Sequence, residues 1–299
     1  MYFPAPIFFF GMLLTMSSQS QDWSRQQLSS LPDSLWQRTD LQRLNVGENQ
    51  LSSLPVSIGN LRKLTHLYIH NNRLTELPES VGNLMNLHAL DLGHNALIAL
   101  PETIGNLSKL AFLYVSDSQL TALPESIGNL KNLLYLNATD NQLTVLPDQI
   151  GNLSTLIELR LYNNQLTTLP ESIGDLTRLK ELHLKNNRLV SLPESVGQMA
   201  NLMRLSLVNN RLTSLPETTS NLTQLTSLDV RNNQLTALPN LGSLKNLRYL
   251  DLRANKLTAL PESLVDLPKL ERLDLRWLPL SSPPGWIQQL EQRGCVVYI

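Results

Sequence analysis

The residues in this chain that could do chemistry are few and evenly spread. Five histidines, His66, His70, His88, His94 and His183, and one cysteine, Cys295, are the nitrogen and sulfur ligands available among 299 residues. His70 and His94 could face each other from adjacent repeats, but two imidazoles with no carboxylate or thiol companion do not make a metal centre. Glutamates at 79, 102, 125, 171, 194, 217 and 262 recur at one position of a repeating text. That placement marks a charge favoured at the start of a helical turn, not a catalytic acid. The chain has no GxSxG elbow, phosphate loop, HExxH or CxxC spacing, so no nucleophile, nucleotide or zinc chemistry is written in local motifs. One cysteine rules out an intramolecular disulfide. A net charge of −1 gives no electrostatic footprint for nucleic acid or an anionic membrane. The expectation is a non-enzymatic protein with no cofactor and no metal.

What positions these side chains is a repeat. A Leu-Pro pair recurs at Leu31, Leu54, Leu77, Leu100, Leu123, Leu146, Leu169, Leu192, Leu215 and Leu238, always 23 residues apart. The next pair falls at Leu260, one residue having been lost after Asn240, and a degenerate copy follows at Pro283 and Pro284. Eleven units of the form LPxxIGNLxxLxxLxLxxNxLTx thus fill 31–282. In "LYLNATDNQL" the alternation of period two puts Leu136 and Ala138 on one face of a short strand and Tyr135, Asn137 and Thr139 on the other. The asparagine after each strand, as in Asn141, turns the chain and can satisfy buried backbone groups of adjacent coils. Ser118 and Leu278 replace that asparagine, and Ala138 replaces a core leucine, so a local loosening is expected near coils 3 and 4. "LPESIGNL" starts with proline and an acid, which suits a short helical or 3₁₀ turn, and Gly128 lets that turn stop. One 23-residue unit buries too little apolar surface to offset its ordering entropy, so stacking is obligatory.

This text resembles the leucine-rich repeat family, in its 23-residue LPxxIGNL form found in intracellular Ras-suppressor-like proteins, plant Ras-group-related proteins and bacterial proteins. The resemblance covers about 85% of the chain. It implies an α/β solenoid: a right-handed horseshoe with a parallel β-sheet on the concave face and short helical or 3₁₀ turns on the convex face. It also implies a scaffold that binds another protein, with a small GTPase or its effector as one candidate. Related arrays serve as substrate-recognition arms of bacterial effector or ubiquitin-ligase systems, which is a second reading. A secreted receptor for a peptide or glycan is a third.

Outward strand positions should form three columns along an open face. The first holds Phe112, Tyr135, Tyr249 and Arg272, the second Tyr68, Tyr114, Arg160, His183, Asp229, Asp251 and Asp274, and the third Tyr162, Arg231, Arg253 and Arg276. Trp277 follows one step later. Exposed aromatic rings offer large contact area at low side-chain entropy, as interfaces use them. The alternative is that the rings only stack along the sheet and stabilise it. The Asp229, Asp251 and Asp274 series beside Arg231, Arg253 and Arg276 reads either as a self-neutralised ladder, each aspartate diagonal to two arginines, or as a polar recognition patch. All of these residues except Arg272 are expected to meet a partner protein.

The ends should be caps. Residues 22–30, with Trp23, cover the first coil, helped by Trp36, and 283–299 form a helix with Trp286, Ile287 and Leu290 on one face, a stop at Gly294 and a last strand. Cys295 is read as a small buried hydrophobe. Residues 1–21 contain an apolar run of signal-peptide length with no preceding Lys or Arg. They read as a tail, as an upstream extension of a start at Met16, or as a cleaved signal. The run is too short to span a bilayer. The single cysteine favours a reducing, cytoplasmic location, with secretion the alternative if the signal is real. A monomer is expected.

Overall fold

In the computed structural model, residues 19–299 are described. The apolar run of 1–18, with both candidate start sites, lies outside them. Thirteen strands of three residues each form one parallel sheet in strict sequence order, from β1 (Ser20–Asp22) and β2 (Arg43–Asn45) to β12 (Arg272–Asp274) and β13 (Val296–Tyr298). Repeat units supply β2 to β12, and the caps add one strand at each end. β1 pairs Gln21 with Leu44, so the first capping strand straddles the expected boundary between 21 and 22. The sheet is open and curved, with 3₁₀ turns on its convex side.

Leucines build the core by repetition. Leu67, Leu90, Leu113, Leu136, Leu159 and Leu182 are fully buried and lie in register from coil to coil. Ala138 is equally buried, and the sheet passes β5 (Phe112–Tyr114) and β6 (Tyr135–Asn137) without a break. The loosening expected there does not reach the backbone register.

Two local devices differ from the sequence expectation. Each convex turn, such as Glu125–Asn129, follows a proline that is still extended, Pro124 having φ −66° and ψ 151°. Proline therefore stands at the N-cap, its carbonyl accepting from the Ile127 amide at 3.1 Å, and not inside the turn. Gly128 does not have positive φ. Its role is close approach: a Cβ there would lie 2.4 Å from the Gln149 carbonyl oxygen of the next coil. Gly82, Gly105, Gly151, Gly174 and Gly197 meet the next coil's backbone in the same way. The glycine column lets neighbouring convex turns meet backbone to backbone.

The sharp bend after each strand is made by the residue before the ladder asparagine. Glu48, Asn71, His94, Asp117, Asp140, Asn163, Asn186, Asn209, Asn232, Ala254 and Trp277 all have φ between 51° and 63°. Asn and Asp tolerate this left-handed conformation, which explains most of the series. Behind them the ladder asparagines do what the repeat predicts. Asn164 donates to the carbonyls of Ala138 at 2.9 Å and Leu161 at 3.0 Å, and its Oδ1 accepts from the Leu143 amide at 3.0 Å. Asn49 does the same for the N-terminal cap through the Trp23 carbonyl at 2.8 Å. At the other end α1 (Ile287–Gln292) buries Ile287 and Leu290 against the last coil, and Cys295 is buried beside them.

Candidate partner-binding face

The columns on the sheet's open face form, but not as one continuous aromatic trough. Tyr135 points outward and is half-buried. Its ring lies 5.1 Å from that of Tyr114, tilted by 41°, and the Arg160 guanidinium stands 5.5 Å over it. Burial pushes the Tyr135 phenol far above its ordinary range, so it is a neutral donor at any physiological pH. Phe112 and Tyr68 belong to a separate chain of rings. The His66 ring lies 6.2 Å from Tyr68 and 6.1 Å from His88, and His88 meets Phe112 edge-on at 5.6 Å. His88 is outside the three columns and was not a sequence candidate. Between His66 and Phe112 the column holds only Ala89, and the His88 ring bridges that gap. A small residue in an otherwise bulky column was the available signal. Among the described residues Tyr162 makes no ring contact, while Tyr249 stands 47% exposed near the far end.

The third column is partly closed. Thr139 and Val208 are 1% and 3% exposed, and the His70 ring lies where a Cβ on Gly47 would be 2.6 Å away. His70 and His94 do not share a centre. His70 Nδ1 lies 3.4 Å from Asp91 and His94 Nδ1 lies 2.5 Å from Asp117, each aspartate on the following coil. The Asp91 carboxylate beside it raises the His70 pKa above its ordinary value. His183 instead gathers two carboxylates, Glu181 at 3.1 Å and Glu158 at 3.8 Å. These three donor sets lie within 4.8 Å of one another. Both carboxylates already hold a guanidinium, Arg160 on Glu158 at 2.5 Å and Arg204 on Glu181 at 3.4 Å, so the charge a cation would neutralise is largely spent. The hydrogen bond from His183 holds the Glu181 carboxyl below its usual range.

Toward the C-terminus the Asp-Arg series is a ladder of unequal rungs. Asp274 is fully buried, and arginines surround it: Arg276 at 2.7 Å, Arg272 at 3.0 Å and Arg253 at 3.4 Å. Burial opposes its charge, but the hydrogen bonds from Arg276 and Arg272 and the nearby Arg253 outweigh that and hold its pKa below the ordinary carboxylate value. Asp274 was expected to meet a partner directly. Being inaccessible, it is instead the anchor that orders three arginines. Asp251 holds Arg253 at 2.5 Å and Arg231 at 3.6 Å. Among the described residues Asp229 has one arginine in ion-pair contact, Arg231 at 3.6 Å, and not the two that the diagonal pattern predicts. Trp277 is 72% exposed, with Arg276 and Arg253 5.8 and 6.0 Å from its ring. It holds φ at 63°, where a bulky residue is strained.

A second side-chain ladder escaped the sequence reading. The left-handed residues bond one to the next along the rim: Asn163 to Asp140 at 2.6 Å, Asn186 to Asn163 at 2.5 Å, Asn209 to Asn186 at 2.6 Å and Asn232 to Asn209 at 2.7 Å. The Asn-Asn doublets of the sequence were its signal, the first asparagine serving the rim and the second the interior.

Residues 78–168 and 148–236 match the leucine-rich repeat region family, 240–277 match a leucine rich repeat, and 39–82 match a two-copy leucine-rich repeat. The chain belongs to the leucine-rich repeat family. Among solved structures it is similar to the Leptospira interrogans leucine-rich repeat protein LIC12759, at 30% identity over 94% of this chain and 95% of that one, with a TM-score of 0.51. It is similar to YopM from Yersinia enterocolitica, at 27% identity over 94% of this chain and 55% of that one, with a TM-score of 0.69. It is also similar to the plant peptide hormone receptor RGFR1 in complex with RGF2, at 31% identity over 90% of this chain and 53% of that one, with a TM-score of 0.64. The chain thus spans about half the length of the last two. A comparison with curated proteins finds no match. Leucine-rich repeat proteins of this kind are typically non-enzymatic scaffolds and receptors that bind protein partners. Among the described residues no helix is long and apolar enough to cross a membrane.

Proposed function

We propose that this protein is a non-enzymatic recognition scaffold that binds an extended segment of another protein across the concave face of its sheet. One observation carries the reading. Tyr135, Tyr114 and Arg160 form a stacked, half-buried platform in the middle of the array, on a face that the described residues leave open. Rigid aromatic rings stacked with a guanidinium are the side chains that dominate protein interfaces. A parallel sheet normally has both faces covered, and this one keeps a face free. The likeness to a plant receptor solved with a peptide hormone supports an extended peptide as the form of the partner. The single buried cysteine supports a reducing, cytoplasmic setting. A small GTPase or effector remains the candidate that the Ras-suppressor-like repeat text supports, with the chain acting as a monomer.

The test is selection of random 12-residue peptides displayed on phage against the full chain, followed by anisotropy titrations of wild type and Tyr135→Ala. Binders should lose tenfold or more in affinity to the variant, provided its urea midpoint is retained. Binders of unchanged affinity would move the interface off this platform.

A further inference from the structure

The Asp-Arg ladder follows a rule that fails at one end. Arg231 and Arg253 in the third column each contact the aspartate of their own coil and the aspartate of the next coil toward the C-terminus. Arg231 lies 3.6 Å from both Asp229 and Asp251, and Arg253 lies 2.5 Å from Asp251 and 3.4 Å from Asp274. By that rule Asp229 should receive an arginine from the preceding coil. The residue there is Val208, flanked in its column by Lys185 and Arg231. Ser206, in register with Asp229 on the adjoining strand, brings no charge. Asp229 keeps 26% of its side chain exposed on the open face and shares its own Arg231, at 3.6 Å, with Asp251. We propose that this unfilled rung seats a cationic side chain, the guanidinium or ammonium of an arginine or lysine in the partner's extended segment.

The inference rests on the concave-face reading and specifies the partner's chemistry. Burial and the neighbouring Asp251 push the Asp229 carboxyl up to about 6 against the pull of Arg231. That direction is the one expected of a buried carboxylate short of positive charge. Asp274, with three arginines, shifts the opposite way. The two thus bracket the effect of filling the rungs. The seat lies four coils from Tyr135, roughly 19 Å at about 4.8 Å per coil. An extended segment crossing both sites would place its basic residue about six positions from the residue stacked on Tyr135, at about 3.3 Å per residue.

The phage-selected 12-residue peptides serve as the probe, titrated against the full chain and three variants. Asp229→Asn keeps the oxygen that accepts the Arg231 amide, and so tests charge without removing that bond. Val208→Arg supplies the missing cation from within. Tyr135→Ala, the third, reports on the concave face itself. The expected result is a consensus with a lysine or arginine, affinity reduced at least tenfold by either ladder substitution, and an equal loss when the peptide's basic residue is replaced by norleucine. That loss should vanish in the Asp229→Asn background. Binders without a basic residue, or binders whose affinity for Asp229→Asn stays within twofold of wild type, overturn the proposal. If those same binders are lost to Tyr135→Ala, the concave-face reading survives without the cation seat. Binders indifferent to all three variants, or a library yielding none, remove both.

Discussion

Replacing Ser118 with asparagine should make this protein more stable, although serine is the natural residue. Every asparagine at this position accepts from the amide 21 residues earlier in a full-length unit, as Leu74 gives to Asn95 at 3.0 Å and Leu120 to Asn141 at 3.0 Å. The side chain of Ser118 is too short to do so. Among the described residues its hydroxyl is buried without a partner, and the Leu97 amide finds no acceptor. The backbone around the site is otherwise regular, with the Ser118 amide donating to the Asp140 carbonyl at 3.1 Å and Asp117 in the left-handed conformation. The introduced asparagine would therefore enter a prepared seat. Its Oδ1 would accept from Leu97, and its Nδ2 would reach the carbonyls of Leu92 and Val115. Satisfying one buried amide and adding two net hydrogen bonds should contribute about 2–3 kcal/mol. The assay is urea unfolding with native-state hydrogen exchange. The Leu97 amide should exchange roughly 30- to 160-fold more slowly, which converts the same free energy into a local readout. The converse, Asn164→Ala, strands the Leu143 amide and removes two bonds to the Ala138 and Leu161 carbonyls, which keep Asn141 and Asn187 as donors, and should cost about 2–4 kcal/mol. A Ser118→Asn protein with an unchanged or lower urea midpoint and unprotected Leu97 would refute the account of the ladder.

Other substitutions test the remaining devices. Gly128→Ala should destabilise by about 1–3 kcal/mol in urea melts despite alanine's better helical propensity, because the new Cβ meets the Gln149 carbonyl. Asp229→Asn should stabilise the free protein at pH 7 by at most about 3 kcal/mol, since the folded carboxyl is raised from 3.8 to about 6. The sign follows from burial of the charged form: ionised Asp229 opposes folding above pH 6, and the cost fades as pH falls toward 3.8. The advantage of the variant in urea melts should therefore shrink between about pH 7 and about pH 4. Trp277→Asn should leave the urea midpoint within about 1 kcal/mol of wild type, relief of left-handed strain offsetting two exposed cation–π contacts. If Trp277 meets the partner, peptide affinity should fall while stability does not.

The repeating text by itself determined the fold class, the strand positions, the interior asparagine ladder and the outward face of Tyr135, because each depends only on period and stacking. Near the two ends of the sheet, Trp36, Ile287, Leu290 and Cys295 are buried, as their apolar character implies. What only the tertiary structure decided depends on distances between coils that a one-dimensional text does not contain. Gly128 serves close approach and not a reversal of the chain, because the neighbouring coil arrives 2.4 Å from where its Cβ would stand. Asp274 and Asp229 occupy identical places in the text, yet one is sealed among three arginines and the other keeps a single distant one. Charge balance is a sum over neighbours in space. A valine at 208, where the coils that follow carry arginine, changes that sum at a single aspartate.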